Sequence, residues 1–157
     1  MAADGLRGET TFSDEGFRRE VRNRLIRHQR WVEGHADGVQ AELKNLDLYG
    51  WRLPGLVIPK ADLRATCLVK ADLRGADLTG ASLMLADLED CDLTDAILIG
   101  ADLRGARLNG AKLMGARMDG VDLGPVSLRG PLQTSRRSLE QGGHISLMKE
   151  VDARGAV

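Results

Sequence analysis

The feature that most constrains this chain is a period of five residues. From Ala41 to Gly130 it divides into 18 consecutive five-residue units in one unbroken frame, among them ADLRG, ADLTG, ADLED and ARLNG. The third residue of each unit is Leu in 16 cases, with Ile58 and Met118 as the exceptions. Ala opens 11 units, Asp stands second in eight, and Gly stands fifth in ten. A period of five fits neither a helix, which repeats near 3.6, nor a strand, which repeats near 2. It fits a short straight segment followed by a corner. The third residue then points inward, with the small first residue packed beside it. The second and fourth residues point outward. The fifth turns the corner, where Gly reaches positive φ without steric cost. Asp at the second position is placed to bond nearby backbone N–H groups, as it does in turns. Stacking one coil on the next satisfies the remaining backbone polar groups.

Aromatic usage agrees with that cross-section. The only rings are Phe12, Phe17, Trp31, Tyr49 and Trp51, and none follows residue 51. A narrow column of Leu and Ala has no room for rings, whereas an irregular capping region needs bulk.

The A-(D/N)-L-x-x pattern resembles the signature of the pentapeptide-repeat family, across residues 41–130. The resemblance implies an all-β solenoid: a right-handed quadrilateral parallel β-helix with four repeat units per coil. For this tract that means about four and a half coils. It also implies a protein-interaction or scaffold role and no catalysis. One branch of the family protects DNA gyrase by mimicking DNA, and there a C-terminal element makes a homodimer. Dimerisation through a terminal segment is therefore an option for this chain. A third reading is a bacterial secreted effector.

The flanks read differently. Residues 10–34 have a helical pattern, with the capping helix expected at about 13–33. Ser13 is suited to the N-cap, Asp14 and Glu15 to the positive first turn. Phe12 and Phe17 stand where a hydrophobic staple would. Phe17, Val21, Leu25, His28 and Val32 form one stripe with Trp31 beside it, and Gly34 is the stop. RHQRWVEG resembles the helical leader found before many pentapeptide tracts. A solenoid end exposes unpaired edges, so this helix is expected to cap the first coil, with Trp31 and Trp51 packed over it. Residues 1–40 thus form an N-terminal segment. Residues 131–157 form a C-terminal tail in which 145–153 could make a short helix.

Chemistry has little to stand on. The acidic residues recur at one repeat position, where similar environments cannot push two carboxylate pKa values apart for acid–base work. The three histidines, His28, His35 and His144, lie in the flanks. No Cys/His cluster has zinc spacing. No phosphate-binding glycine loop occurs. No cofactor or metal is expected. Cys67 is expected outward and Cys91 inward, on different sides, so they should not pair. No apolar run approaches a membrane span. The N-terminus lacks a secretory pattern, and the cysteine usage suits a reducing compartment, so the cytoplasm is the expected location.

Specificity must then reside in outward positions. Residues 81–100 form the unusual coil. Asp87, Glu89, Asp90, Asp92 and Asp95 cluster over two consecutive sides, Ile97 and Ile99 project from the next, and Met84 from the remaining one. This is the candidate surface for a protein partner. A gyrase-binding DNA mimic would need a long acidic rod. Residues 41–130 hold 13 acidic and 11 basic residues, and Arg64, Arg74, Arg104, Arg107, Lys112 and Arg117 interrupt the negative surface. The near-neutral balance also argues against direct nucleic-acid binding.

Overall fold

A computed structural model describes residues 14–125 of the chain. The expected N-cap Ser13, the staple residue Phe12 and the helix at 145–153 lie outside the described residues.

Helix α1 spans Asp14–Val32. It ends as the sequence suggests. Gly34 takes φ 80°. The Gly34 N–H then bonds the Trp31 carbonyl at 3.1 Å and the His35 N–H bonds the Arg30 carbonyl at 2.9 Å. That pair of bonds is the Schellman arrangement, which satisfies two carbonyls the helix end would leave orphaned. The chain then folds back along the helix, and the Val39 N–H reaches the Arg27 carbonyl at 3.0 Å. Gly38 is required there, because a Cβ on it would collide with the Trp31 backbone.

From residue 41 the chain winds as a four-sided shaft. Parallel bridges join each unit to the one four units later, and they fall into four columns. Side one carries Glu42, Asp62, Ser82, Asp102 and Asp122. Side two carries Asp47, Cys67, Asp87 and Arg107. Side three carries Arg52, Asp72, Asp92 and Lys112. Side four carries Val57, Asp77, Ile97 and Arg117. Each side makes a single bridge per coil, so the straight segments are shorter than ordinary strands.

The backbone of one unit shows why five residues suffice. In the unit Ala61–Ala65, the second-position N–H of Asp62 bonds Ala41 of the preceding coil at 2.9 Å. The third- and fifth-position N–H groups of Leu63 and Ala65 bond Ser82 and Met84 of the following coil at 2.8 and 2.9 Å. The first-position N–H of the next unit, Thr66, closes the corner onto Leu63 at 3.2 Å. Only the fourth N–H has no backbone partner, and the Asp62 carboxylate accepts it at 3.2 Å. The same side-chain bond recurs from Asp47, Asp72, Asp77, Asp87, Asp92, Asp102 and Asp122. Asp is therefore the residue that completes the unit's hydrogen bonding.

The fifth position is left-handed throughout. From Asn45 to Gly120 every corner residue has positive φ, including Lys60, Ala65, Lys70, Leu85, Asp90 and Asp95. Gly is favoured at the corner but the stack also holds side chains there.

The interior is a column of Leu flanked by Ala, fully buried through the middle coils. Thr66 replaces Ala at one first position and stays satisfied, because its hydroxyl donates to the Leu43 carbonyl at 2.8 Å. The room left among the upper Leu side chains is about 10 Å³ and is lined only by Leu and Ile. An ordered water needs that much space and polar partners besides. The shaft interior there offers no ligand space.

Helix α1 closes the first coil. Val21 and His28 are buried against it, Phe17 and Leu25 half-buried. Phe17 meets Trp51 edge to face with centroids 5.8 Å apart. Trp51 thus belongs to the coil and receives the helix, while Trp31 packs on His28 at 5.3 Å. Val32, expected in the buried stripe, is 40% exposed instead. The chain turns back at Gly34 before the first coil reaches that residue. Polar contacts complete the cap. Arg24 donates to the Glu42 carbonyl at 2.8 Å, and the Ala41 N–H donates to His28 Nδ1 at 2.8 Å.

Candidate functional surface

The eight residues singled out from the sequence fall in one coil, on the sides expected for them. Asp87 is on side two, Asp92 on side three and Ile97 on side four, each in its bridge column. Glu89 and Ile99 are the fourth-position neighbours on sides two and four, and Met84 occupies that position on side one. Asp90 and Asp95 sit at left-handed corners with φ 55° and 58°.

Their surroundings are less open than the sequence suggests. Arg107, one coil below, spans Asp87 and Glu89, with both contacts at 2.7 Å. Lys112 stands 3.7 Å from Asp92. Asp90 and Asp95 form no ion pair among the described residues. Ile97, Ile99 and Met84 are half-buried rather than projecting, because each column stacks a side chain against those one coil above and below. More exposed apolar residues lie beside and beyond them: Leu85, next to Met84, Met114 further along the shaft, and Tyr49 on the first coil. Leu85 occupies a corner, where the repeat pattern favours Gly and so hides an exposed apolar side chain.

The remaining acidic residues are tied locally. Arg64, Arg74 and Arg104 each fork onto the Asp two residues earlier, through two bonds of 2.7–2.9 Å. The Arg74 guanidinium holds the Asp72 carboxyl down at about 2, and Arg64 and Arg104 lower Asp62 and Asp102 in the same way. The flat, repeated pairing leaves none of these carboxylates poised as an acid near neutral pH.

Cys67 lies half-buried on side two and Cys91 is buried at a first position on side three, both as free thiols. Burial pushes the Cys91 thiol up to about 12 and raises that of Cys67. Among the described residues no group of His, Cys, Asp and Glu could hold a metal ion. No helix among them is long and apolar enough to cross a membrane.

With four bridge columns and a Leu interior in place, comparison with known proteins is decisive for the tract. The family model of pentapeptide repeats, in eight copies, matches residues 60–95 and 86–124. The chain carries a pentapeptide-repeat tract of that family over residues 60–124. Its fold is accordingly a β-helical solenoid carrying an N-terminal helix. Among solved structures, it is similar to a pentapeptide repeat protein (Rfr23) from the cyanobacterium Cyanothece 51142. That match has 38% identity and a TM-score of 0.52, and covers 53% of this chain and 56% of that one. The chain thus spans about half the length of this relative. A pentapeptide repeat protein from the Arabidopsis thaliana thylakoid lumen matches at 24% identity and a TM-score of 0.37, covering 73% of this chain and 66% of that one. QnrB1, a plasmid-mediated fluoroquinolone resistance protein, matches at 17% identity and a TM-score of 0.40, covering 52% of this chain and 47% of that one. No curated protein matches.

Proposed function

We infer that the chain is a non-enzymatic interaction module that binds a protein partner through outward positions of its shaft, centred on residues 81–100. Pentapeptide-repeat proteins in general serve as structural or interaction modules. The observation that carries the reading is the register. Side chains one coil apart, such as Asp77 and Ile97, stand one above another in fixed columns. A partner therefore meets a rigid pattern at little ordering cost. In the third coil that pattern sets Asp90 and Asp95 at two corners beside the apolar pair Ile97 and Ile99. Asp87, Glu89 and Asp92 extend the acidic side, and Met84 the apolar one.

In this proposal residues 1–40 act as a capping segment and 131–157 as a tail. Residues 41–130 form a right-handed quadrilateral β-helix of about four and a half coils, at ~4.8 Å per coil. The buried free thiol of Cys91 is compatible with a reducing cytoplasm, which fractionation of the tagged protein would check. The gyrase-binding alternative is weaker, because Arg107 and Lys112 stand against the acidic residues a DNA mimic would need to display.

The test is affinity capture from cell extract with wild type, an Ile97→Ser/Ile99→Ser variant and an Asp90→Ser/Asp95→Ser variant. All three should unfold at similar temperatures. A partner retained by wild type should be lost from at least one variant. Undiminished capture by both would remove this surface from the account.

A further inference from the structure

A second surface lies at the junction of α1 and the first coil, away from residues 81–100. Here Arg18, Arg22 and Leu25 of the helix face Tyr49, Trp51, Arg52 and Leu53 across a groove of about 540 Å³. Its composition sets it apart among the described residues. Arg18 is held with its guanidinium 5.4 Å from the Trp51 ring centroid. Tyr49 is 56% exposed on the first coil, where nothing in the shaft requires a ring. Arg52 has a carboxylate, Asp72, only at 3.9 Å, and its side chain is 80% exposed. Arg22 is exposed and makes no ion pair among the described residues.

Among the described residues no Asp or Glu lines this groove. The contrast is with the neighbouring groove on the helix's other flank, where Glu20 and Glu42 accompany Arg24 and Arg27. There Arg24 already bonds Glu20 and the Glu42 carbonyl. Arg22 and Arg52 of the first groove are therefore the less compensated cations. Three guanidiniums around a tyrosine and a tryptophan, over a floor of Leu25 and Leu53, suit a ligand with carboxylates beside an apolar or aromatic side chain. Arg, Trp and Tyr are also the residue types that dominate protein-binding hot spots.

We propose that this groove docks a short acidic segment of a partner protein, one carrying an aromatic side chain flanked by carboxylates. Tyr49 and Trp51 receive the ring, and Arg18, Arg22 and Arg52 receive the carboxylates. The site is independent of the third-coil surface, so a partner can engage either one or both.

The probe is a labelled peptide with one Phe flanked on both sides by Asp and Glu, titrated into the full-length protein at low and moderate salt. Saturable binding should appear by fluorescence anisotropy and weaken as salt rises, since the Debye length is ~10 Å at 0.1 M. Arg22→Glu/Arg52→Glu should weaken it by about tenfold or more, and Tyr49→Ser by less. Circular dichroism melts matching wild type would show that the variants fold. The same peptide with Gly for Phe should bind less tightly, and one with Lys for the acids should not bind. Absence of saturable binding would overturn the proposal. So would binding indifferent to the double charge reversal, or tighter binding of an oligothymidylate than of the peptide. A concentration-dependent doubling of mass abolished by the charge reversal would assign the groove to a second copy of the chain instead, and would equally overturn it.

Discussion

Replacing Asp77 and Thr79 singly and together tests the account of why Asp recurs at the second position. Asp77 accepts both the Thr79 N–H, at 3.0 Å, and the Thr79 hydroxyl, at 2.6 Å. Both residues are half-buried. Asp77→Ala leaves two partly desolvated donors without an acceptor. The expected cost is about 1–2 kcal/mol, the lower part of the range for a desolvated donor left without its partner. Thr79→Pro removes both donors while keeping the carbonyl that accepts the Lys60 N–H. Proline is sterically reasonable there, because Pro59 occupies the same position one coil above, as Pro54 does on side three. Proline also restricts the unfolded chain, worth roughly 0.4–1 kcal/mol in favour of the fold. With the donors gone, Asp77→Ala should then cost about nothing. The double-mutant cycle, read from urea unfolding, should show a coupling of about 1–2 kcal/mol, whereas independent sites add within ~0.5 kcal/mol. Costs that simply add would mean the carboxylate is only a solvated outward group, and the reasoning would fail.

Corner geometry gives a reciprocal pair. Ala65 at φ 53° and Gly75 at φ 65° are both exposed corner residues, and nothing lies within 4 Å of a Cβ added at Gly75. Ala65→Gly should stabilise and Gly75→Ala destabilise by about 0.5–1 kcal/mol, after the left-handed penalty is set against chain entropy; a thermal melt showing either sign reversed would contradict the assignment. Leu88→Asp should abolish cooperative unfolding by circular dichroism, since it puts an unpaired carboxylate at a fully buried position. Burial lowers the pKa of His28 below its usual 6.5, so the unfolded chain takes up the proton first. Stability should fall as pH drops below ~6.5, and His28→Asn, which retains an acceptor for the Ala41 N–H, should flatten that decline. The window for Asp72 is separate. Its stabilisation is present above the ordinary 3.8 and is lost as pH falls towards about 2. Cys91 should resist a thiol reagent until the shaft unfolds, whereas rapid labelling of both cysteines under native conditions would place Cys91 wrongly.

The period of five was enough to place the inward column, because Leu and Ala at the third and first positions admit no other arrangement once a corner follows every unit. Positions such as Leu88 and Cys91 could be assigned from spacing alone. Bridges between units on successive coils, such as Asp62 with Ser82, follow once the family resemblance supplies four units per coil. The cap was legible in outline through Phe17, Val21 and His28. Its detail was not, because the chain reverses at Gly34 and Gly38 and so leaves Val32 outside. No local pattern reports a reversal that depends on backbone packing against Trp31.

The candidate surface was harder to read for a physical reason. An outward residue is unconstrained by the shaft, so its identity says little about its neighbours, which lie a full coil away along the chain. Reading Asp87 and Glu89 in sequence order places them in an acidic run with Asp90 and Asp92. Reading them by column places Arg107 directly against both. The two orders give opposite electrostatic pictures. Hydrogen bonding explains the proline units as well: WRLPG and LVIPK lack Asp at the second position, and their fourth residues, Pro54 and Pro59, have no N–H for it to accept. Within a unit the sequence is governed by hydrogen-bond accounting, and across units by charge stacked from coil to coil. A search for binding residues in such a chain gains most from aligning it in rows of four units, where uncompensated charge and misplaced rings stand out. That alignment sets Tyr49 above Val69, Glu89 and Asn109, the one ring in its column.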